Sequence, residues 1–496
     1  MILDNQFLTD KNGNVNLLTT YFNKDGELKM NRIVLQPHQA YNWKHVHEAR
    51  NPNAIKADPD HMSVLLKPVY KDFFEYEKID DKLEYTRVVE ILEENNCEFL
   101  HDVPTSIQHN WFSDIEVEVD DDGFPDADNV RTPINTITAC SGTRMMLWSR
   151  KKIPQQMVER IQKRIVEYHE MTKNYILEVR DFDNERDMMI DYLNWMKTDV
   201  NAICGWNYIG YDWKYIVNRC VNKLAIPIFE IISPTKSSHH IKSSFGERVE
   251  APYHKYIYDY QQLIIAEAQG SCGKVFELNA VAEKVLGFKK VEHKMDFQIF
   301  YRDYFEDYCF YNCIDSALVE QIHNVKKMAN CHWAASGLLK QSLYVVLFET
   351  IIPWEGVLAY EMRHRNLVVV KRNTKKQDLT FPGAFVYPVP KAGVFNMVCG
   401  LDFASLYPSC IRNINISAET LLKVVDNPDT YKVQEGESLS PSGAVFSNKE
   451  QGIIPFIMEK YYKIRKNYKK EMKFSFKTME DFHDILKMRM KKEINN

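Results

Sequence analysis

Residues 396–401 read Asn-Met-Val-Cys-Gly-Leu, and Asp402-Phe403-Ala404-Ser405-Leu406-Tyr407-Pro408-Ser409 follows at once. The first six predict a β-strand and the next eight a tight, partly apolar turn. An Asp placed where a strand ends, with apolar side chains behind it, suits a metal ligand at the mouth of a pocket. A chance strand and turn is the plain alternative for this one segment.

The 496 residues leave room for roughly three domains. With 45% hydrophobic and 26% charged residues, the composition is that of an ordinary globular protein. The N-terminus turns polar within five residues, without the basic flank and apolar core of a secretion signal. The most apolar stretch, residues 342–354, carries Glu349 and is too short to span a bilayer. Ten cysteines are scattered, with Cys309 and Cys313 as the nearest pair, so free thiols in a reducing compartment are expected.

The net charge of −5 gives no sign of a nucleic-acid partner. The mean hides an asymmetry. Residues 451–496 hold twelve Lys and Arg against six acids, whereas residues 114–128 hold eight acids and no base. A DNA channel depends on the local field, not on the whole-chain charge.

Three segments upstream carry carboxylates at telling intervals. In Asp114-Ile115-Glu116-Val117-Glu118-Val119 the polar and apolar residues alternate strictly. Side chains at i and i+2 share a strand face, so Asp114 and Glu116 stand about 7 Å apart on one side. They repel each other there, and a divalent cation relieves that repulsion. Glu118 shares the face. A solvated acidic face is the competing reading.

Residues 204–212 read as a strand, a glycine-bearing loop, then a helix starting near Asp212. Asp212 alone is equally explained as a helix cap. Tyr311 and Asp315 lie four residues apart in a helical pattern and share one helix face. By itself such a pair reads as a side-chain hydrogen bond.

Together the three segments resemble a DEDDy-type 3′→5′ proofreading exonuclease. Asp114 and Glu116 stand for its first motif, Asn207 and Asp212 for the second, Tyr311 and Asp315 for the third. The octapeptide DFASLYPS resembles motif A of family B DNA polymerases, most closely the T-even bacteriophage type. Asp122-Gly123-Phe124-Pro125, Gly383-Ala384-Phe385-Val386 and residues 411–417 strengthen the likeness, which covers nearly the whole chain and is weaker before residue 100.

The resemblance implies an α/β and α+β multidomain fold. Its parts are a ribonuclease H-like exonuclease at 109–329, an N-terminal domain from 1–108 and 330–372, a partial palm at 373–450 and partial fingers at 451–496. Short strands at 64–66 and 85–89 and a small helix near Ile91 are expected in the N-terminal part, and a charged helix over 153–168. Residues 239–250 fit the strand-separating β-hairpin of this family.

The resemblance also implies the chemistry. Two magnesium ions per site, with manganese as a substitute, would sit on Asp114, Glu116, Asp212 and Asp315, while Tyr311 orients the attacking water. Glu118 is outside the family pattern. In the palm, Asp402 would bind both metals, Ser405 and Leu406 would hold the triphosphate of a dNTP, and Tyr407 would exclude a ribose 2′-OH.

A helix over 456–472 is predicted, with a break at 474–478 and a second helix over 481–493. Arg465 would grip the triphosphate, against the alternative of a solvated basic face. Lys492 and Asn496 fit the first five positions of motif B, K-x-x-x-N-S-x-Y-G, as triphosphate and nucleotide contacts. The second palm carboxylate of motif C is not found in these 496 residues.

The expected partners are therefore primer-template and single-stranded DNA, dNTPs, a C-terminal polymerase chain beginning near Ser-x-Tyr-Gly, and a sliding clamp reached through that chain. No membrane is expected, and the expected setting is the cytoplasm of an infected bacterium. A split gene or split intein is expected ahead of an engineered truncation. The rival functions are a stand-alone exonuclease with a vestigial palm and a non-catalytic DNA-binding scaffold.

Overall fold

The computed structural model describes residues 2–9, 11, 15–35, 41–45, 55–56, 64–68, 84–98, 110–242, 246–268, 276–291, 295–348, 352–365, 388, 393–403 and 405–494. They fall into two compact units, one of residues 1–40 and 69–356, the other of residues 41–68 and 357–496.

The first unit is organised by a six-stranded mixed sheet. Its spatial order is Ile176–Asp181, Arg144–Ser149, Ile134–Ser141, Asn110–Val117, Ala202–Gly205, Tyr256–Asp259. Ile134–Ser141 runs antiparallel to both neighbours, and the remaining pairs are parallel. Successive side chains go to opposite faces, and the core divides accordingly. Phe112, Met145, Leu147, Cys204, Tyr256 and Tyr258 pack on one side, with the helices Gln155–Tyr168 and Phe305–Lys326. Trp111, Met146, Trp148, Ile203 and Ile257 pack on the other, with the helices Glu185–Asp199 and Asp212–Asn222. Buried apolar residues on both faces of the central strands are what a sheet covered on both sides requires.

Two smaller elements belong to this unit. Strands Ile2–Thr9, Val15–Phe22 and Leu28–Val34 form an antiparallel sheet. Strands Ser238–Lys242 and Arg248–Pro252 pair as an antiparallel hairpin where residues 239–250 suggested one. The N-terminal sheet holds the base of this hairpin: Gln6 Nε2 donates to Ser237 Oγ at 3.2 Å, and Thr20 Oγ1 lies 2.9 Å from His254 Nδ1.

In the second unit, Leu421–Val424, Ala444–Ser447 and Glu437–Leu439 form one small antiparallel sheet, and Tyr41–His45, Val64–Pro68 and Ile55–Lys56 another. A helix over Leu406–Ile414 leads to a clamp for the long helix Ile453–Ile494. Asn415 Oδ1, Glu419 Oε1 and Ser417 Oγ accept the backbone N–H groups of Gly452, Ile453 and Ile454 at 2.9, 2.5 and 3.4 Å. These are among the donors that a helix start leaves without an intrahelical partner. The approach is close enough to demand glycine, since a Cβ on Gly452 would stand 2.6 Å from Ser417 Cβ.

Several local expectations give way. Residues 85–89 belong not to a strand but to the helix Glu84–Glu94, because Val88, Val89, Ile91 and Leu92 share a buried helical stripe. The break at 474–478 is absent, and one 42-residue helix continues through it. Residues 396–401 form no strand. Met397 is 101% and Leu401 94% exposed. An apolar run becomes a strand only when a neighbour takes up its N–H and C=O groups, and none among the described residues does so here. Residues 383–386 lie outside the described residues. No described helix is long and apolar enough to cross a membrane. The nine described cysteines are free, and Cys309 and Cys313 are buried in the core.

Candidate active site

Asp114 and Glu116 project from the central strand Asn110–Val117 on the Phe112 side, the side covered by the helix Phe305–Lys326. That helix docks through one polar stripe. Tyr308 OH accepts from Asn135 Nδ2 at 3.1 Å, Thr136 Oγ1 donates to Asn312 Oδ1 at 3.0 Å, and Thr138 Oγ1 lies 2.6 Å from Ser316 Oγ. These three helix positions repeat every fourth residue, so the helix rotation is fixed. Asn312, its Oδ1 held by Thr136, turns Nδ2 to Asp114 Oδ2 at 2.7 Å. Tyr311 and Asp315 are then aimed at the carboxylates.

A register shift in the partner strand shapes the same place. Glu116 faces Thr136 and Val117 faces Ile134, so Asn135 is an extra residue opposite that step. Such bulges bend a strand and re-aim its side chains. Arg150 holds this bulge by donating Nε to Asn135 Oδ1 at 2.7 Å, and it also pairs with Glu118. Glu118 thus has a cation of its own, apart from the other acids.

One carboxylate oxygen from each of Asp114, Glu116 and Asp315 lies within 4.8 Å of the other two. Glu116 is 7% exposed and Asp315 5%. Burial and the Asp315 charge push the Asp114 carboxyl up to about 8. Burial and the neighbouring Asp114 and Asp315 raise Glu116 well above its ordinary value. Three hard oxygen donors, crowded so that Asp114 and Glu116 give up their protons reluctantly, form a set suited to a divalent cation.

Asp212 reaches this nest from the neighbouring strand-loop-helix. The ladder between Asn110–Val117 and Ala202–Gly205 ends at the pair Phe112 and Cys204. The N–H of Ile115, beyond that end, donates to Asp212 Oδ1 at 3.0 Å. Asp212 is thus the first residue of its helix, but its oxygen serves the strand between Asp114 and Glu116, and Tyr211 is the cap residue. Burial and the Asp114 charge raise its carboxyl well above the ordinary range. Asp212 is outside the 4.8 Å set yet electrostatically joined to it.

The residue that the sequence did not reveal is Lys290. Its Nζ lies 3.0 Å from Asp315 Oδ2 and donates to Tyr311 OH. Burial pulls this ammonium down, but Asp315, Asp114 and Glu116 more than offset that and hold it above its ordinary value. Lys290 sits in a loop after the helix Leu278–Leu286, with its backbone N–H on Asn279 Oδ1 at 2.9 Å. No periodicity or motif marks it.

The polymerase-type residues lie in the second unit. Asp402 is exposed and belongs to no regular element. Ser405 caps the helix Leu406–Ile414 with a left-handed φ of 55°, and Leu406 and Tyr407 are 47% and 71% exposed. Arg465 is exposed on the long helix, and the Arg412 guanidinium stacks 5.6 Å from the Tyr462 ring. Lys492 falls in the last turn of that helix, and Asn496 lies outside the described residues.

Comparison with known proteins accords with this division. The model of DNA polymerase family B, exonuclease domain, matches residues 82–260, and that of DNA polymerase family B matches residues 349–495. The DNA-directed DNA polymerase of Enterobacteria phage T4 is 28% identical over 304 residues, 59% of this chain and 33% of the relative. That of Escherichia phage RB69 is 26% identical over 379 residues, 72% of this chain and 41% of the relative. The DNA polymerase delta catalytic subunit of Glycine max is 26% identical over 327 residues, 60% and 29% of the two chains. The chain thus spans between a quarter and a half of the length of these relatives. Tyr311 and Asp315 fall between the two family matches, and the docking of their helix brings them to Asp114 and Glu116.

Proposed function

The chain belongs to the family B DNA polymerases and carries their exonuclease domain, and on that premise we propose that its first unit is a 3′→5′ proofreading exonuclease acting on DNA 3′ ends. The observation that carries the reading is the nest of Asp114, Glu116 and Asp315, each offering an oxygen within 4.8 Å of the others. Asp212 and its bond to Ile115 complete the set.

The donors fit magnesium, a hard cation that takes carboxylate oxygens, with manganese as its substitute. Bound there, two such ions supply an acidified water and neutralise charge at the scissile phosphate. The protein's own part is positional. Asn312 and Ile115 hold Asp114 and Asp212 in fixed orientations, so little reorganisation is needed when DNA arrives. Tyr311, fixed by Lys290, offers its hydroxyl to the attacking water. Lys290 lowers the cost of gathering the carboxylates and draws the phosphate backbone toward them.

For the second unit, we infer half of a template-directed polymerase site. Asp402 would be its metal ligand, and Ser405, Leu406, Tyr407, Arg465, Lys492 and Asn496 its dNTP contacts. Two-metal phosphoryl transfer needs a second palm carboxylate. The exposed run through Met397 and Leu401 supports its coming from a further polypeptide that pairs with that run. The assignment of 109–329 to the exonuclease, 1–108 with 330–372 to an N-terminal domain, 373–450 to palm and 451–496 to fingers belongs to this proposal. So do the sliding clamp as a partner of the completing polypeptide and the cytoplasm of an infected bacterium as the setting.

The test is the chain with magnesium, dNTPs and a 5′-labelled primer-template. Shortening of the primer is expected, and Asp114→Ala should slow it by about 10³-fold, since removing a metal ligand forfeits several kcal/mol. An unchanged primer overturns the nuclease assignment. Extension overturns the need for a completing polypeptide.

A further inference from the structure

Asp259 ends the edge strand Tyr256–Asp259, pairs in parallel register with Gly205, and is 0% exposed. It is a buried acid outside the carboxylate nest. Its Oδ1 accepts the backbone N–H of Asn207 at 3.1 Å and that of Gln261 at 2.9 Å. Burial raises the carboxyl, and these bonds together with the N–H groups of Gln262 and Ile209 limit the rise to about 7. Gln261 and Gln262 begin the helix Tyr260–Ala268. Asn207 and Ile209 belong to the loop that leads to Asp212. One carboxylate therefore caps a helix and gathers a loop at once.

That loop has little freedom of its own to find its shape. Asn207 has a left-handed φ of 58°, a conformation that Asn adopts more readily than most residues with a side chain. A Cβ on Gly205 would stand 2.2 Å from Ser113 O, and one on Gly210 would stand 2.4 Å from Asn207 Oδ1. Trp206 Nε1 and Gln261 Nε2 both donate to Phe276 O, at 3.0 and 2.9 Å, which ties the loop and the helix start to one carbonyl. Tyr211 N donates to Asn207 O at 2.9 Å, and Asp212 is next in the chain.

We propose that Asp259 is a positioning residue of the exonuclease site: by drawing the Asn207 and Ile209 N–H groups onto the end of its strand, it sets the loop that delivers Asp212 to Ile115 and so to the metal-binding carboxylates. This rests on the nuclease reading above. The line of contact runs from Asp259 through Asn207 to Asp212, and from Asp212 Oδ1 to the N–H between Asp114 and Glu116. A buried carboxylate that held only its own helix would have no reason to engage Asn207.

The experiment uses the full chain, Asp259→Asn and Asp259→Leu, with Mn2+ as the probe. Binding is read by electron paramagnetic resonance without DNA, and 3′-end shortening is followed on a labelled single strand. Asp259→Asn keeps one acceptor oxygen. It should weaken Mn2+ binding roughly tenfold, as outer-shell partners of metal ligands typically do, with the DNA KM unchanged and the rate recovered at high Mn2+. Asp259→Leu should weaken it further. A lowered melting point with unaltered Mn2+ binding and metal dependence marks a purely structural residue and overturns the inference, as does no change at all. If Asp259→Leu does not fold, Asp259→Asn decides. If the unaltered chain leaves DNA intact, the nuclease reading fails, and Mn2+ binding still judges Asp259.

Discussion

Lys290 Nζ stands 3.0 Å from Asp315 Oδ2, so the acidic nest holds a cation belonging to the protein itself. That ammonium competes with any divalent ion for the same carboxylate. Lys290→Met should therefore tighten metal binding while slowing the reaction. With unit charges a few ångströms apart at a partly buried site, a decrease of roughly tenfold in the metal concentration for half-maximal rate is expected. Metal titrations of the shortening rate check this, and a raised metal requirement would show that Lys290 acts otherwise than by competition.

Acidity gives a second expectation. Asp114 is pushed up to about 8 by burial and the Asp315 charge, and Asp4 and Asp259 to about 7, mainly by burial. In the folded chain these groups keep protons that the unfolded chain has released, so their stabilisation is present at low pH and lost as pH rises through 7 to 8. His239, His254 and His323 are lowered to about 4 by burial and act in the opposite sense, but only up to their ordinary value of 6.5. Between pH 6.5 and 8 the melting temperature in EDTA should fall. Magnesium should remove the nest's share of that decline, because the cation binds the deprotonated nest, and leave the share of Asp4 and Asp259. Thermal melts across this window decide it, and a flat or rising curve in EDTA would contradict it.

Arg219 meets Glu185 through three bonds, Nε to Oε1 at 2.9 Å and to Oε2 at 3.2 Å and Nη2 to Oε2 at 2.8 Å, and both side chains are at most 10% exposed. Glu185 also accepts the N–H of Ile134 at 2.8 Å, at the strand end beside the Asn135 bulge. Arg219→Ala leaves that carboxylate buried without its cation, and a loss of about 3 kcal/mol is expected. Denaturant titration measures it. Substituting both partners by apolar residues of similar volume should recover much of the loss.

Val398 is 77% exposed in the strandless run before Asp402. Val398→Asp should change the stability of this chain by no more than about 0.5 kcal/mol and leave primer shortening unaltered. If a further polypeptide pairs with this run, the same change should abolish primer extension when that polypeptide is supplied. Equal extension by the original and altered chains would remove the run from the assembly.

What the sequence made legible follows the reach of each signal. Asp114 and Glu116 were readable because strand alternation fixes their common face, and Tyr311 with Asp315 because helical spacing does the same. The hairpin near residues 239–250 was readable from its place in the chain. Lys290 was not, because a loop lysine carries no period and meets the acids only after three separate elements converge. The strand at 396–401 was misread for the opposite reason. Its apolar pattern is genuine, but a strand is a property of two segments and the pattern of one does not supply the other. At 85–89 a short strand was expected, while the buried stripe through Leu92 favours a helix. At 474–478 the local signs of a break were weaker than the hydrogen bonds of a helix already under way.

The clamp at Gly452 has a mechanical consequence. The helix that starts there runs 42 residues, about 60 Å at 1.5 Å per residue. Its first N–H groups are pinned by Asn415, Ser417 and Glu419, the residues that directly follow the helix Leu406–Ile414. The assembly is a lever with its fulcrum at the turn that ends the helix Leu406–Ile414. A pivot of about 10° at Ile453 would sweep Lys492 through about 10 Å, given that length. Displacements of a few tenths of an ångström in the 415–419 turn are thereby magnified into the travel of an entire basic arm.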